Sequence, residues 1–435
     1  MLLVFVLALS DFVPGGKSPG SVKARRPSSK NAIFFAVSAG RSLFHSQYKR
    51  LIIGLIIHFL SKEIYGEYSF LYVTITSLGS TVGLATGVVA TNLVADWRKR
   101  NFYSIIYLFI LSILISLVGS IFVAVAIFND IYSSFDISDL MLSLLTGFLI
   151  FMYTVDSFFK SILVGLKKMK LFSISIIIGA CVNVTFLLIF IDSIEKLGAL
   201  ISLLISLVFV TTISFYGILK SSKINIKQFF VKKILRLNED YRKSVFYNLL
   251  SSIIFPSVLW VIYYLIKNKG GDINVAEFNL GFQCFIIVTF IPTTANRVLV
   301  PLLISKFDIV SKKKMVNNTL IVNSIFSLLA IIFVNFFLQD LIFLFSDKII
   351  LNRYIIFFMS LAAFCTNMSA PIGQFIMSQS KFKLGLQLNL ISMTILLLLS
   401  LYFVNRMLAN GGAFAFFLAY LFHLIISITY IYKQK

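Results

Sequence analysis

Apolar runs as long as a membrane is thick recur along this sequence, and they leave few options for its fold. A hydrocarbon core of about 30 Å takes about 20 residues of α-helix to cross. Runs of that length or longer lie near residues 31–60, 69–95, 103–127, 138–164, 171–191, 198–219, 246–267, 275–304, 317–338, 353–379, 384–405 and 411–431. A lipid-exposed backbone must satisfy its own hydrogen bonds, so such runs are read as helices. Charged residues make up 13% of the 435, against about 25% in soluble domains. That is too little polar surface to clothe a water-soluble globule. The chain is therefore expected to be an all-α integral membrane protein with about twelve transmembrane helices.

The formal net charge of +22 would point to nucleic acid in a soluble protein. Here the basic residues sit in short loops between apolar runs, where they orient the chain in the membrane, and no nucleic-acid partner is expected. With the N-terminus inside, the inner loops hold Arg98 to Arg100, Lys167, Lys168, Lys170, the basic stretch from Lys220 to Lys243, Lys306, Lys312 to Lys314, Lys381, Lys383, Lys433 and Lys435. The outer loops hold Lys62, Lys196, Lys267, Lys269, Lys348, Arg353 and Arg406. The inside excess of roughly three to one predicts an even number of spans with both termini cytoplasmic. Cys181, Cys284 and Cys365 all lie in apolar runs, and His45, His58 and His423 are scattered. No metal site, disulfide framework or cofactor is expected from them.

The polar stretch at 220–245 divides the chain into an N-terminal half, 31–219, and a C-terminal half, 246–435, with six spans each. Short segments recur between the halves. Tyr65-Gly66-Glu67-Tyr68 corresponds to Val275-Ala276-Glu277-Phe278, an offset of 210. Lys168 to Leu171 corresponds to Lys381 to Leu384, an offset of 213, and Gly198-Ala199 to Gly412-Ala413, an offset of 214. Three matches in order at nearly one offset indicate an internal duplication. Six helices per copy give both copies the same orientation, a parallel repeat, which is a transporter architecture with the substrate path between the halves. Residues 1–30 fit no span: Met1 to Ser10 is too short, lacks a basic start and precedes no small-residue cleavage pattern, and the remainder is rich in Gly, Pro, Ser and Lys. They are expected to form a flexible, dispensable cytoplasmic leader. Gly16-Lys17-Ser18 resembles the end of a phosphate-binding loop, but Asp11 stands where its first glycine belongs, so it is a chance match.

Ionisable residues at bilayer depth are costly and mark pathways. In the first span Arg41, His45 and Lys49 recur at steps of four and share one helical face, which suits a water-filled cavity; the alternative is that the span begins only at Leu51. Asp156 and Lys160 are four apart in the fourth span and can pair, either as a structural pair or as a switch in which substrate or a proton competes for one partner. Arg297 lies near the inner end of the eighth span, where it could also snorkel to the interface. Arg41, Lys160 and Arg297 all fall in the cytoplasmic halves of their spans, a cationic set suited to phosphate oxygens. Pro256, Pro292, Pro301 and Pro371 all lie in spans of the second half, where each removes a backbone hydrogen bond and bends its helix.

The segment His58-Phe59-Leu60-Ser61-Lys62-Glu63-Ile64-Tyr65-Gly66-Glu67-Tyr68-Ser69 resembles the end of the first helix in bacterial polysaccharide flippases, and Gly165 to Ser173 and Pro301-Leu302-Leu303 are similar to other segments of that family. The family is the O-antigen and polysaccharide flippase branch of the multidrug, oligosaccharidyl-lipid and polysaccharide exporter superfamily. The resemblance covers nearly the whole chain from residue 31. It implies two six-helix lobes around a central cavity, an inner-membrane location and a substrate of undecaprenyl pyrophosphate carrying one oligosaccharide repeat unit. It also implies a role beside the polysaccharide polymerase machinery. The family's cationic cavity matches Arg41, Lys49, Lys160 and Arg297 by residue type. The expected mechanism is alternating access, with a proton or sodium ion as coupling ion through Asp156.

Two other functions are open to such a chain. A drug or cation antiporter of the same superfamily would need acidic groups in its cavity, where this sequence offers one clear carboxylate and several cations. A membrane enzyme of polysaccharide assembly, a polymerase or ligase, would need a sizeable outer loop, and the outer loops are short and carry no carboxylate pair or histidine cluster.

Overall fold

The computed structural model describes residues 56, 59–95, 102–130, 137–166, 168–222, 239–304, 308–343, 352–379 and 382–433. Among them every regular element is an α-helix: α1 (Lys62–Ala95), α2 (Phe102–Asp130), α3 (Ile137–Gly165), α4 (Met169–Ser222), α5 (Glu239–Ile304), α6 (Ile309–Phe343), α7 (Arg353–Ser378) and α8 (Phe382–Lys433). Three of the eight are broken once, α4 at Ile194 and Glu195, α5 at Gly271 and α8 at Leu408, which makes eleven rods. They coincide with the second to twelfth apolar runs of the sequence. The first run and the leader lie outside the described residues, apart from Ile56, Phe59 and Leu60. Six of the helices, broken ones included, are long and apolar enough to cross a membrane. Large apolar side chains cover the outward faces of α2 and α6, among them Val118, Ile121, Ile321 and Phe336, as a lipid-facing surface requires.

The duplication is written into the backbone. Glu195 (φ 41°, ψ −118°) and Leu408 (φ 50°, ψ −128°) are the two non-glycine residues with positive φ among the described residues. They stand 213 apart and have nearly the same conformation, one close to the first central position of a type II′ turn. Three residues beyond each break a glycine folds the next rod against the last. A Cβ on Gly198 would lie 2.5 Å from the carbonyl oxygen of Phe190, and one on Gly411 would lie 2.1 Å from that of Phe403. Both glycine and phenylalanine pairs repeat at 213. The structure thus pairs Gly198 with Gly411, moving the sequence register at this point by one residue from Gly412. The neighbouring Gly412 instead packs beside Phe278 and Ile266.

Within the first half, α1 and α3 meet along a stripe of small residues, Gly79, Gly83 and Gly87. A Cβ at any of them would collide with α3 at Tyr153, Thr154, Ser157 or Ser161. Small residues at four-residue spacing let membrane helices approach closely. Thr154 Oγ1 donates to the Gly79 carbonyl at 3.0 Å and Thr91 Oγ1 to the Ser161 carbonyl at 2.8 Å, which fixes the rotation of α3.

Across the halves the principal described seam runs between α1 and α5. It is tightest near the start of α1, where a Cβ on Gly66 would fall 1.9 Å from the carbonyl oxygen of Asp272. Asn279 is buried there. Its Nδ2 donates to Tyr65 Oη at 2.8 Å and Ser69 Oγ at 2.9 Å, and its Oδ1 accepts from Tyr263 Oη at 2.9 Å. Lys62 pairs with Glu277 across the seam at 2.7 Å, and within the first half Lys196 pairs with Glu67. The hydrophobic core follows the same division. Its main cluster joins both halves toward this latched end, through Tyr65, Phe70, Leu149, Leu200, Tyr263, Phe278, Met359 and Phe416 among others. Toward the opposite end the core separates into one cluster in the first half, around Leu108, Phe158 and Leu163, and another in the second half, around Leu303, Val316 and Phe375. The halves are therefore joined at one end and packed separately at the other.

Gly66→Ala is expected to cost about 1–3 kcal/mol by forcing α1 away from Asp272, read as a lowered melting temperature in detergent. Gly119→Ala, where a Cβ meets nothing within 4 Å, is expected to leave the melting temperature unchanged or raised. Equal effects of the two substitutions would exclude the close approach as the cause.

Candidate functional site

Two cavities open inside the lobes. The first, with a volume of about 80 Å³, is lined by Tyr65, Tyr68 and Tyr72 of α1, by Tyr153, Asp156 and Lys160 of α3, by Gly179, Asn183 and Ser206 of α4, and by Asn279 and Gln283 of α5. It therefore belongs to the first half, with one wall supplied by the second across the seam. The glycine contact between α1 and α3 turns Thr154, Ser157 and Ser161 toward α1. That leaves Asp156 and Lys160 on the cavity side of α3. Lys160 Nζ lies 2.6 Å from Asp156 Oδ2, with the Asp156 side chain 2% exposed and that of Lys160 23%. The pairing expected from their four-residue spacing is present.

The other residues singled out in the sequence are placed unevenly. Arg41, His45 and Lys49 lie outside the described residues. Arg297 lies in the α-helix α5, but its side chain lies outside what is described. The structure thus brings Asp156 and Lys160 together. Their neighbours include residues that the sequence argument passed over. Tyr65, Tyr68 and Tyr72 repeat at three and four residues, so they share one face of α1, and Tyr68 stacks on Tyr72 with ring centroids 5.9 Å apart. The spacing was legible, but its facing depended on the seam with α5. Asn183 lies across the cavity, where its Oδ1 accepts from Ser202 Oγ at 3.0 Å, and Ser206 Oγ donates to the Gly179 carbonyl at 2.7 Å.

The second cavity is the larger of the two, with a volume of about 360 Å³, and lies in the second half between the first rods of α5 and α8, α7 and the second rod of α8. It is the duplicate of the first. With the offset of 213 set by the backbone breaks, lining residues Thr366, Ser369, Gly373, Asn389, Tyr420 and His423 fall on Tyr153, Asp156, Lys160, Ile176, Leu207 and Val210, all lining residues of the first cavity. The chemistry has diverged. The ion pair of the first half is replaced by Ser369 and Gly373, and an apolar valine by His423. No Asp, Glu, Lys or Arg lines the second cavity among the described residues. Deeper in this half, Asn323 Nδ2 contacts Asn296 Oδ1 at 3.2 Å and the Asn367 carbonyl at 3.0 Å, and Asn367 Nδ2 donates to Ser327 Oγ at 2.7 Å. This buried amide cluster joins α5, α6 and α7. No group of three His, Cys, Asp or Glu side chains with the geometry of a metal site occurs among the described residues.

If the ion pair stabilises α3 in place, Lys160→Met takes the ammonium from beside a buried carboxylate and is expected to cost about 3–5 kcal/mol, whereas Asp156→Asn combined with Lys160→Met recovers most of it. Denaturation of the purified variants checks this. A single variant as stable as the double would show that the cavity solvates Asp156 without Lys160.

No protein family and no curated protein matches the sequence. Solved structures match it over nearly its whole length. An inward-facing structure of a multidrug resistance MATE family transporter of the MOP superfamily has a TM-score of 0.66 at 12% identity, covering 91% of this chain and 98% of that one. An outward-facing structure of a MATE family transporter gives 0.65 at 12%, covering 92% and 94%. A MATE structure in the straight conformation gives 0.62 at 12%, covering 92% and 95%. The chain, all-helical among the described residues, shares the fold of these proteins.

Proposed function

We propose that the chain is an alternating-access flippase that carries undecaprenyl-pyrophosphate-linked oligosaccharide from the cytoplasmic to the outer leaflet of a bacterial inner membrane. The observation that carries this reading is the first cavity. It combines a lysine at hydrogen-bonding distance from a single carboxylate with four tyrosines, two asparagines, a glutamine and a serine. Sugars present hydroxyls to amides and C–H faces to aromatic rings, and a pyrophosphate competes with Asp156 for the Lys160 ammonium. The lipid tail stays in the bilayer. Arg41, Lys49 and Arg297 add cations to the same path in this reading, and Asp156, once released from Lys160, can take part in switching.

The direction of movement follows from the seam and the loops. The helix ends and connections at the separated end carry the lysine-rich segments, including Lys168, Lys170, Lys220, Lys312, Lys313 and Lys314, and the positive-inside rule assigns that end to the cytoplasm. A cavity approached from there can load a cytoplasmic substrate while Lys62–Glu277 and the Asn279 cluster hold the outer end shut. Outward opening then requires those contacts to part. The other reading, a drug or cation antiporter, draws on the neighbours described as multidrug transporters. A cation would meet one carboxylate already neutralised by Lys160, which disfavours its accumulation.

The deciding measurement is the sidedness of undecaprenyl-linked oligosaccharide in cells deprived of the protein. Build-up on the cytoplasmic face, relieved by re-expression, is the expected result. Normal arrival at the outer face, with no redundant flippase present, would remove the proposal and leave ion-coupled drug export to be tested. Cysteines at positions 62 and 277, bridged by a short reducible thiol cross-linker, are expected to stop transfer until the bridge is reduced. Undiminished transfer through the bridged protein would show that the outer end need not open.

A further inference from the structure

We infer that the cavity of the second half is a separate proton-binding site, and that its acceptor is Nε2 of His423. This inference takes the transporter reading as its frame and assigns the coupling proton to a group other than Asp156.

The argument begins with hydrogen counting. His423 lies on the second rod of α8, half-buried, with its ring lining the cavity. Its Nδ1 is 2.6 Å from Ser392 Oγ on the first rod of the same helix. The Ser392 hydroxyl is itself 2.8 Å from the carbonyl oxygen of Leu388, one turn back. A hydroxyl has one proton, and a carbonyl can only accept. The Ser392 proton therefore goes to Leu388, and the Ser392 oxygen receives the Nδ1 proton of His423. Neutral imidazole carries a single N–H, so Nε2 is left with a bare lone pair. Nε2 makes no hydrogen bond among the described residues. The serine thus selects the tautomer, as a hydrogen bond to one ring nitrogen commonly does.

The surroundings of the ring determine what this lone pair can take. Tyr247 faces the cavity from α5 and Tyr420 from the rod of His423 itself, while α7 and the first rod of α8 contribute amides, hydroxyls and apolar groups. Among the described lining residues His423 is the one group whose ordinary titration lies near neutrality. A metal ion would find no carboxylate there, and an anion would meet the lone pair of the neutral ring. A proton fits, and once bound it gives an imidazolium that neutral oxygens such as those of Ser369 and Thr366 can solvate.

The duplication supplies an independent observation. At the equivalent place in the first cavity stands Val210, and at the place of the Asp156–Lys160 pair in the second cavity stand Ser369 and Gly373. Among the described lining residues the first cavity therefore holds the Asp156–Lys160 pair and no histidine, and the second holds His423 and no Asp, Glu, Lys or Arg. The second cavity lies toward the separated end through Tyr247, Gln374 and Asn389.

The chain has three histidines, His45, His58 and His423, so the full-length protein labelled with ¹⁵N-histidine gives a spectrum simple enough to assign with His423→Asn. Asparagine keeps a donor toward Ser392 and removes the titratable ring. The expected result is an Nδ1–H tautomer for His423 at high pH and conversion to imidazolium as the pH is lowered over the range in which the protein stays folded. A signal that stays neutral through that range, or one that shows the Nε2–H tautomer, overturns the inference. The second measurement is transfer of lipid-linked oligosaccharide in inverted membrane vesicles with and without a proton gradient. The wild type is expected to lose transfer when the gradient is collapsed, and His423→Asn to give the same low transfer in both conditions. A His423→Asn protein that still responds to the gradient also overturns it. Vesicles in which the wild type moves no such lipid would defeat the substrate reading, and the spectroscopic titration would then decide the proton site by itself.

Discussion

Helices in lipid gain nothing from hiding apolar surface against each other, because the lipid tails are as apolar as leucine. Two halves of a membrane protein are therefore held by close backbone approach and by polar contacts that lipid cannot replace. In this chain both devices are concentrated in one place. Gly66 sits against the Asp272 carbonyl, and Asn279 uses both donors and its acceptor on Tyr65, Ser69 and Tyr263. The rest of the arrangement depends on that seam. It turns the tyrosine face of α1 toward the first cavity, it brings Gln283 to the cavity wall, and it leaves the far ends of the halves with cores of their own.

The extent to which this was legible in the sequence follows from the range of the interactions. Span positions depend on local hydropathy, and eleven of the twelve apolar runs coincide with rods of the structure. The Asp156–Lys160 pair is a one-turn interaction and was legible from spacing alone. The duplication was legible from three weak matches, but the register near Gly198 was off by one, since Gly411 and Gly412 are identical in type and only the backbone break at Leu408 separates their roles. Asn279, the tyrosine face and His423 could not be found in this way. Their significance lies in which side of a helix meets another helix, 31 residues away for His423 and Ser392 and 214 for Asn279 and Tyr65, and hydropathy carries no such information in spans that are apolar on nearly every side.

Both breaks in the duplicated backbone place an ordinary side chain where glycine is the usual occupant, Glu195 in one half and Leu408 in the other. A non-glycine residue in that region costs of order 1–3 kcal/mol and persists when its surroundings hold it there. Here the following glycine supplies the hold, by letting the next rod lie directly on the carbonyl of Phe190 or Phe403. The return of each rod beside its predecessor closes the cavity wall that carries Asn183 and Ser206 in one half and Asn389 and His423 in the other.

The divergence of the two cavities has a consequence for ancestry. In an assembly of two identical half-length chains every side chain is present twice, so a lysine–carboxylate pair in one lobe is necessarily mirrored in the other. Fusion of the copies into one polypeptide lifts that symmetry. Position 156 could keep its acid while position 369 became a serine, and position 423 could gain an imidazole while position 210 stayed a valine, without either change being imposed on the opposite lobe. Joining the halves covalently thus allows a pseudo-symmetric frame to carry a directional, chemically polarised interior.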